Sequence, residues 1–382
     1  MSAALGPADP MRSADTRAML ECAREAGAAA GVTRLADVTR LDRFGLPVWQ
    51  AIRPMGRALS VHQGKGATHA AAQIGALLEA VESDAAERFD AEGPVCRFGE
   101  LPAKARAPFF TDYARHREAP PAPDEPYRWV AAHRLGADGA LHLPFDLVSL
   151  DLTRAVPSAF DRASNGIATG STRSEAIMAA LHEFLERDAV TEWQARGLLA
   201  AMAAVLDLDS VPFGWMALWR ERIAAAGAWL QAYRVPTLTG TPLFACELND
   251  SSKDNGFYRA VQGRGCHPLP EVALFKAVAE ALQARVTLIA GSRDDQLPAA
   301  YRRSASGAQL AFAPPRPADS PAIRWEDIES GPADPEGMAA ALARAGYPDI
   351  AWLELAAPPR LSVVRAFVCG LGSMRRRRRP VP

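Results

Sequence analysis

Two pairs of glutamates, Glu79 with Glu82 and Glu183 with Glu186, stand three residues apart in stretches that read as helices, and Glu175 precedes the second pair. At about 100° per residue, Glu175 and Glu186 lie about 20° apart around the helix axis and Glu183 about 60° from Glu186, so the three share one face. Ile177, Leu181 and Phe184 surround that face, an arrangement that points the carboxylates inward. Crowded carboxylates repel and hold each other's protons unless a cation sits among them. A divalent metal is the economical solution. Hard oxygen donors select Mg2+ or Ca2+, and Mg2+ takes few carboxylates while filling its shell with phosphate oxygens and water. An ATP·Mg2+ site is the chemistry this spacing suggests. Glutamates so spaced are also common on solvated helix faces, so the bland alternative stays open.

The elements that must carry these groups are legible from periodicity. Ala72, Leu77, Leu78 and Val81 form the apolar stripe of a helix over 68–89. Thr172 and Glu175 fit a capping box that opens a second helix running to about Gln194. A long amphipathic helix is expected over 271–289, after the turn Gly265-Cys266-His267-Pro268, and further helices over 16–31 (closing at Gly31), 213–227 and 335–345. Strands are expected at 35–38, 46–52, 58–61, 129–130, 141–143, 147–152, 229–234, 242–247 and 361–368. Glycine-bearing loops at 63–66 and 164–171 precede the two acidic helices, and Pro-rich connections cover 102–127 and 313–321. Gly64-Lys65-Gly66 lacks the P-loop spacing and the following Ser/Thr, yet it offers backbone amides, a helix N-terminus and one ammonium to anionic oxygens. No short tandem repeat is visible. The mixed order of strands and helices predicts an α+β fold with mixed sheets rather than strict βαβ alternation.

These residues carry a family resemblance. Gly64-Lys65-Gly66-Ala67-Thr68, followed by Gly75-Ala76-Leu77-Leu78-Glu79-Ala80-Val81-Glu82, resembles the YcaO signature GKGxT…SAxxExxER. Ser164 to Gly170, with Glu175-Ala176 and Glu183-Phe184-Leu185-Glu186-Arg187-Asp188-Ala189, resembles the family's Gly-rich loop and ExxERDA helix. Glu280-Ala281-Leu282-Gln283-Ala284-Arg285, with Gly291-Ser292-Arg293-Asp294-Asp295, resembles its EAxQxR…GxRxD element. The resemblance implies a YcaO-type α+β fold of antiparallel-rich mixed sheets flanked by helices, with ATP and more than one Mg2+ held by helix carboxylates. It makes Glu79, Glu82, Glu183 and Glu186 the metal candidates, and Lys65, Glu175, Arg187, Glu280 and Gln283 the nucleotide candidates. No residue is singled out as catalytic. It divides the chain into an N-terminal extension with a helix (1–45), a catalytic domain (46–372) and an Arg/Pro-rich tail (373–382).

The implied reaction transfers the γ-phosphoryl group of ATP to a peptide amide oxygen, which then leaves as phosphate when a nucleophile has added at the carbonyl carbon. The wording of the motifs looks like the stand-alone branch that works with a TfuA-like partner, which points to thioamide formation on a ribosomally made peptide or protein. Azoline formation and a non-catalytic adaptor role in ribosomal-protein modification are the alternatives, and a homodimer is left open. Four departures stand out. Gly75 replaces the Ser of the first motif, and Ser83 the Arg of its ExxER, with Arg88 or Arg57 as candidates to compensate. The Pro-rich ending is reduced to Pro380-Val381-Pro382 behind Arg375–Arg379, a run read as a solvated tail or an altered reading frame ahead of a nucleic-acid patch. Cys369 replaces the Pro of a VPGL segment.

Other groups carry less. His182 falls near Glu175 and Glu186 on the helical projection, but a lone helix histidine is more often structural. Cys266, His267 and Cys369 have no flanking motif and read as ordinary buried groups; Asp294 and Asp295 could cap a loop or tune the site. With 43 basic and 44 acidic residues the net charge is −1, so no overall field draws nucleic acid or anionic membrane. The 5 cysteines contain no CxxC pair, which argues against a zinc site or disulfide framework. With no basic stretch leading an apolar one at the N-terminus and no long apolar run, a cytoplasmic location is expected.

Overall fold

The computed structural model describes residues 4–9, 15–108, 113, 120–154, 158–197, 204–250, 260–296 and 322–371. Their architecture is α+β, with three antiparallel sheets. The first joins β1 (Arg34–Asp37), β2 (Val48–Ile52) and β3 (Val61–Lys65) in that order. The second has β4 (Val95–Arg97), β5 (Pro126–Arg134), β11 (Ile350–Ala356), β12 (Ser362–Val368) and β7 (Ile167–Gly170) side by side, with β6 (Ala140–Pro144) also paired to β5. The third orders β10 (Val261–Cys266), β9 (Leu243–Asp250) and β8 (Ala228–Arg234).

Against these sheets lie α1 (Thr16–Ala29), α2 (His69–Arg88), α4 (Arg173–Ala195), α5 (Gly214–Ala225), α6 (Pro270–Ala290) and α7 (Pro335–Arg344), with a single turn, α3, at Phe145–Val148. Threonines cap both acidic helices, Thr172 at the cap expected from the sequence and Thr68 at one the structure adds. Thr68 Oγ1 accepts from Ala71 N–H at 3.1 Å and Thr172 Oγ1 from Glu175 N–H at 3.1 Å, satisfying first-turn donors. The capping box of α4 is only half made: the Glu175 carboxylate turns instead to Ser171, accepting from its N–H at 3.0 Å and its hydroxyl at 2.5 Å. Helix α6 begins with Pro270 in its first turn and ends at Gly291 in the left-handed region, φ 57°.

Three strand–turn–helix units dominate: β3–α2, β7–α4 and β10–α6. In β3–α2 and β10–α6 the helix packs on the strand at backbone contact because the strand has glycine where the helix crosses. A Cβ on Gly64 would lie 1.9 Å from Ala72 O and 2.2 Å from Ala76 N, and one on Gly263 would lie 2.1 Å from Ala277 O and from Ala281 N. The same offsets recur in each unit. Glu79 and Glu82 follow Gly64 by 15 and 18 positions, as Glu183 and Glu186 follow Ala168, and Glu280 and Gln283 follow Gly265. This repeat escapes a search for tandem repeats because long insertions separate its copies.

Apolar clusters lock the units. Leu181, Leu185, Val364, Phe367 and Met338 join α4, β12 and α7. Trp219, Phe244, Leu274 and Val278 join α5, β9 and α6. Cys22 and Ala23 of α1 pack on Leu77 and Leu78 of α2.

Several local expectations are corrected. Residues 147–152 are not a strand, because Phe145–Val148 forms a helical turn at the end of β6. The segments expected as glycine-bearing loops at 63–66 and 164–171 hold strand residues: Gln63, Gly64 and Lys65 close β3, and Ile167–Gly170 is β7. The strand expected at 58–61 begins only at Val61, and β10 runs through the expected turn to Cys266. Strands β4 and β11 went unanticipated. The Pro-rich stretch 313–321 and the five-arginine run lie outside the described residues. Among the described residues no helix is long and apolar enough to cross a membrane, and all five cysteines are free.

Candidate functional site

Strands β3, β7 and β10 are each the edge of their sheet, and an edge strand presents backbone N–H groups with no strand partner. The helix carboxylates take them up. Glu79 Oε2 accepts from Gln63 N–H at 2.7 Å, within its own unit. Glu82 Oε1 accepts from Thr169 N–H on β7 at 2.8 Å, and Glu186 Oε2 from Cys266 N–H on β10 at 3.1 Å. Helix α6 closes the circuit back to β3, where Lys65 Nζ donates to Gln283 Oε1 at 3.0 Å and lies 3.4 Å from Glu280 Oε2. Each unit is thereby tied to the next, and the four metal candidates are drawn to the meeting point of three sheets. Glu183, also there, pairs with Arg187 at 2.8 Å.

The electrostatics of this centre are strained toward neutrality. Burial first, and then the charges of Glu183 and Glu79, push the Glu82 carboxyl up to about 8. Burial and the charge of Glu280 push Glu186 up to about 7. Glu79 and Glu183 are raised by burial too, against the pull of nearby cations that include Lys65 for Glu79 and Arg187 for Glu183. All four side chains are nevertheless half-buried rather than sealed, so they border accessible space. Around them Gln63 Nε2, His182 Nε2 and Arg187 Nε are buried without a hydrogen-bond partner, a cost unless something else supplies the partner. Carboxylates that resist ionising, together with unfilled donors, make a cradle suited to a divalent cation with an anionic, oxygen-rich ligand. Among the described residues no three His, Cys, Asp or Glu side chains can enclose a metal by themselves. An ion here therefore needs further oxygens from phosphate or water.

Glu175 is separate from this ring. Its carboxylate accepts from Ser171, in the turn that launches α4. Lys276 is a group the sequence reading passed over. Its ammonium donates to Cys266 O at 3.2 Å, and its charge reaches Glu186, Glu183 and His182. Its position one turn ahead of Glu280 on α6 was the available signal. Arg365 was missed as well. It is 2% exposed, donates to Val148 O at 2.9 Å and to Ala163 O, and places a buried cation near Glu183.

His182 is 4% exposed, its ring centroid 5.9 Å from that of His267, and burial followed by the Lys276 charge lowers its proton affinity well below the usual value. The Cys266 and Cys369 thiols are pushed up to about 12 by burial, which makes both poor nucleophiles. At the first motif, a Cβ on Gly75 would meet Gly64 Cα at 3.3 Å. Ser83 Oγ lies 3.4 Å from His62 Nδ1. The arginines considered as substitutes are engaged elsewhere, Arg88 with Asp84 and Arg57 with Asp151, each at 2.8 Å.

Comparison with known proteins places the chain in a family. A family model described as YcaO cyclodehydratase, ATP- and Mg2+-binding, matches residues 63–372. A Rhizobium leguminosarum bv. trifolii protein, described as lying in the tfuA 3' region, is 34% identical over 281 residues, covering 72% of this chain and 66% of its own length. A Methanothermobacter thermautotrophicus protein is 30% identical over 361 residues, covering 89% of this chain and 90% of its own. Among solved structures, YcaO from Methanopyrus kandleri bound with AMPPCP and Mg2+ shares the fold, with a TM-score of 0.68 at 21% identity over 94% of this chain and 92% of that one. The chain belongs to the YcaO family, and ATP and Mg2+ are the cofactors that come with it.

Proposed function

We propose that this protein uses ATP and Mg2+ to phosphorylate the oxygen of a peptide backbone amide, and that the product is a thioamide on a ribosomally made peptide or protein, with a TfuA-like partner delivering sulfide. The observation that carries the nucleotide part is the gathering of four carboxylates with raised pKa, Glu79, Glu82 and Glu186 fixed on three sheet edges and Glu183 paired with Arg187. The tfuA-region relative supports the choice of thioamide.

In this reading the four glutamates hold Mg2+, while Lys65, Arg187, Glu280 and Gln283 hold the nucleotide and Glu175 fixes the turn before α4. Bound Mg2+ supplies the positive charge that offsets the phosphates. The chain's own residues do the rest. The sheet-edge N–H groups orient the carboxylates, and the Arg187 guanidinium, raised above its usual value by Glu183 and Glu186, stays charged against the transferring group. Hydrosulfide forms a bond to the carbonyl carbon and the carbonyl π electrons move to oxygen, which takes the γ-phosphoryl group and releases ADP. The amide nitrogen's lone pair then expels that oxygen as phosphate, the sulfur proton leaves with it, and C=S remains. Atoms and charge balance without any oxidant.

The family description, cyclodehydratase, favours a second reading, in which a Cys, Ser or Thr side chain of the substrate is the nucleophile and an azoline forms. Mass spectrometry separates the two. The chain is incubated with its co-expressed TfuA-like protein, sulfide, Mg·ATP and the peptides encoded beside its gene. Oxygen-to-sulfur exchange with ADP release is the expected result; loss of one water from the peptide would support the azoline, and ADP-free, unmodified peptide would sink both.

A further inference from the structure

Away from the carboxylates, a cavity of about 350 Å3 opens at the first turn of α6, a volume at the small end for ligand sites. Its wall comes from separate segments: Phe213 ahead of α5, Pro270, Glu271 and Val272 of α6, Trp325 in a short turn after α6, and Ala8 of the N-terminal segment. Phe213 and Trp325 meet edge to face, centroids 5.2 Å apart and planes at 88°, so their faces form a corner. Both rings are braced. Trp325 stacks on the fully buried Phe244 at 6.1 Å and its backbone N–H donates to Ser210 Oγ at 2.9 Å, while Phe213 stacks on Trp215 at 6.1 Å. Trp215 in turn fixes the carboxylate, donating from Nε1 to Glu271 Oε1 at 2.8 Å, and the second carboxylate oxygen meets no donor among the described residues.

The charge around the cavity is negative. Arg324, beside Trp325, is taken up by Glu326 at 2.5 Å and Asp207 at 3.6 Å, while Asp327 is exposed. The start of α6 opposes a cation with about half a charge, against the full charge of Glu271. A corner of π faces beside a held carboxylate selects a cation on an apolar stem, because the rings attract both parts. Glu271 precedes Glu280 by nine residues, which is about 14 Å along the helix and half a turn around it. What enters here is therefore not the nucleotide.

We propose that this cavity receives a lysine or arginine side chain of the peptide substrate, its cationic head against Glu271 and its stem in the corner of Phe213 and Trp325. This rests on the reading that the chain modifies a peptide, and it gives that peptide a chemistry: a basic residue at least about four positions from the amide that reacts, at about 3.3 Å per extended residue. The anchor lies on the far side of α6 from Glu280, so its contacts are the same before and during the reaction and act on binding rather than on the chemical step.

Two measurements test it. The first needs no nucleotide: calorimetric titration with N-acetyl-lysine methylamide and with its norleucine counterpart, which keeps the stem and lacks the charge. The lysine probe is expected to bind at least about fivefold more tightly, and Glu271→Gln to erase that preference at an unchanged melting temperature, since the Gln oxygen still accepts from Trp215. Phe213→Leu, apolar but without a π face, is expected to weaken the lysine probe about threefold or more. No preference for the lysine probe, a preference that survives Glu271→Gln, or full affinity in Phe213→Leu overturns the proposal. The second measurement uses the peptides encoded beside the gene with Mg·ATP and the TfuA-like protein. Glu271→Gln is expected to raise KM for the peptide about fivefold or more while kcat holds; an unchanged KM overturns the proposal. If the wild type modifies no peptide, the underlying reading fails, and the probe titration still decides whether the cavity takes a basic side chain.

Discussion

The Glu82 carboxylate on α2 accepts a hydrogen bond at 2.8 Å from the backbone N–H of Thr169, 87 residues further along the chain and on the edge of a different sheet. One side chain thus satisfies an orphan donor and brings a negative charge to the junction of two units. Glu186 repeats the device toward Cys266 at 3.1 Å. Because these bonds hold the carboxylates in place before any ligand arrives, the site is preorganised by the fold itself.

The raised carboxyls make nucleotide-free stability pH-dependent. Glu82 and Glu186 move from an ordinary value of 4.5 up to about 8 and about 7. The folded state therefore favours their neutral forms. The stability they contribute is complete below pH 4.5 and is lost as pH rises through the folded values, levelling off above about 8. Melting temperature should decline across that window without ligand. Mg·nucleotide, which needs the ionised forms, should bind more tightly as pH rises and should reverse the decline. A pH-independent difference between the two melting curves would count against the assignment.

Close helix–strand packing makes Gly64 intolerant. A methyl there would meet Ala72 O at 1.9 Å and Ala76 N at 2.2 Å, both backbone atoms that cannot swing away. Gly64→Ala should cost about 3 kcal/mol in urea unfolding, near the upper end for overpacking. Gly75→Ala, whose Cβ would meet Gly64 Cα at 3.3 Å and Lys65 N at an ordinary 3.8 Å, should change stability by less than about 1 kcal/mol, since the helix propensity gained offsets the tight contact.

Arg53 is 3% exposed and pairs with Asp84 at 2.8 Å and Glu87 at 2.9 Å, while its Nε donates to Ala30 O at 2.9 Å. It ties α1, β2 and α2 together behind the first carboxylate pair. Arg53→Ala leaves the buried Glu87 without its guanidinium and should cost about 3–5 kcal/mol by chemical denaturation. Arg88→Ala, at the exposed end of the same network, should cost less than about 1 kcal/mol.

What the sequence showed of this molecule follows from where its signals are local. Helices α2, α4 and α6 announce themselves through apolar period, and α4 also through its cap at Thr172, and the glutamates on them can be placed around an axis without knowing the fold. The edge strands were not legible. Segment β7 is four residues long and ends at Gly170, and β3 ends in Gly64-Lys65, so both carry turn composition. They are strands because helices lie on them and partners flank them, which are long-range facts. The same holds for the cations. Spacing along α6 places Lys276 beside Glu280, but the contacts that Lys276 and Arg365 make with the Cys266 and Ala163 carbonyls come from other elements and are long-range.

The central claim is that the helix carboxylates hold Mg·ATP, and Glu186→Gln tests it most directly. The amide oxygen of Gln can still accept from Cys266 N–H, so the fold should persist, while the anionic ligand is gone. Titration calorimetry with a non-hydrolysable ATP analogue and Mg2+ should show saturable, Mg2+-dependent binding to wild type. Binding to Glu186→Gln should be weaker by at least about tenfold at an unchanged or higher melting temperature. Equal affinity in the variant, or no binding to wild type at millimolar nucleotide, would contradict the account.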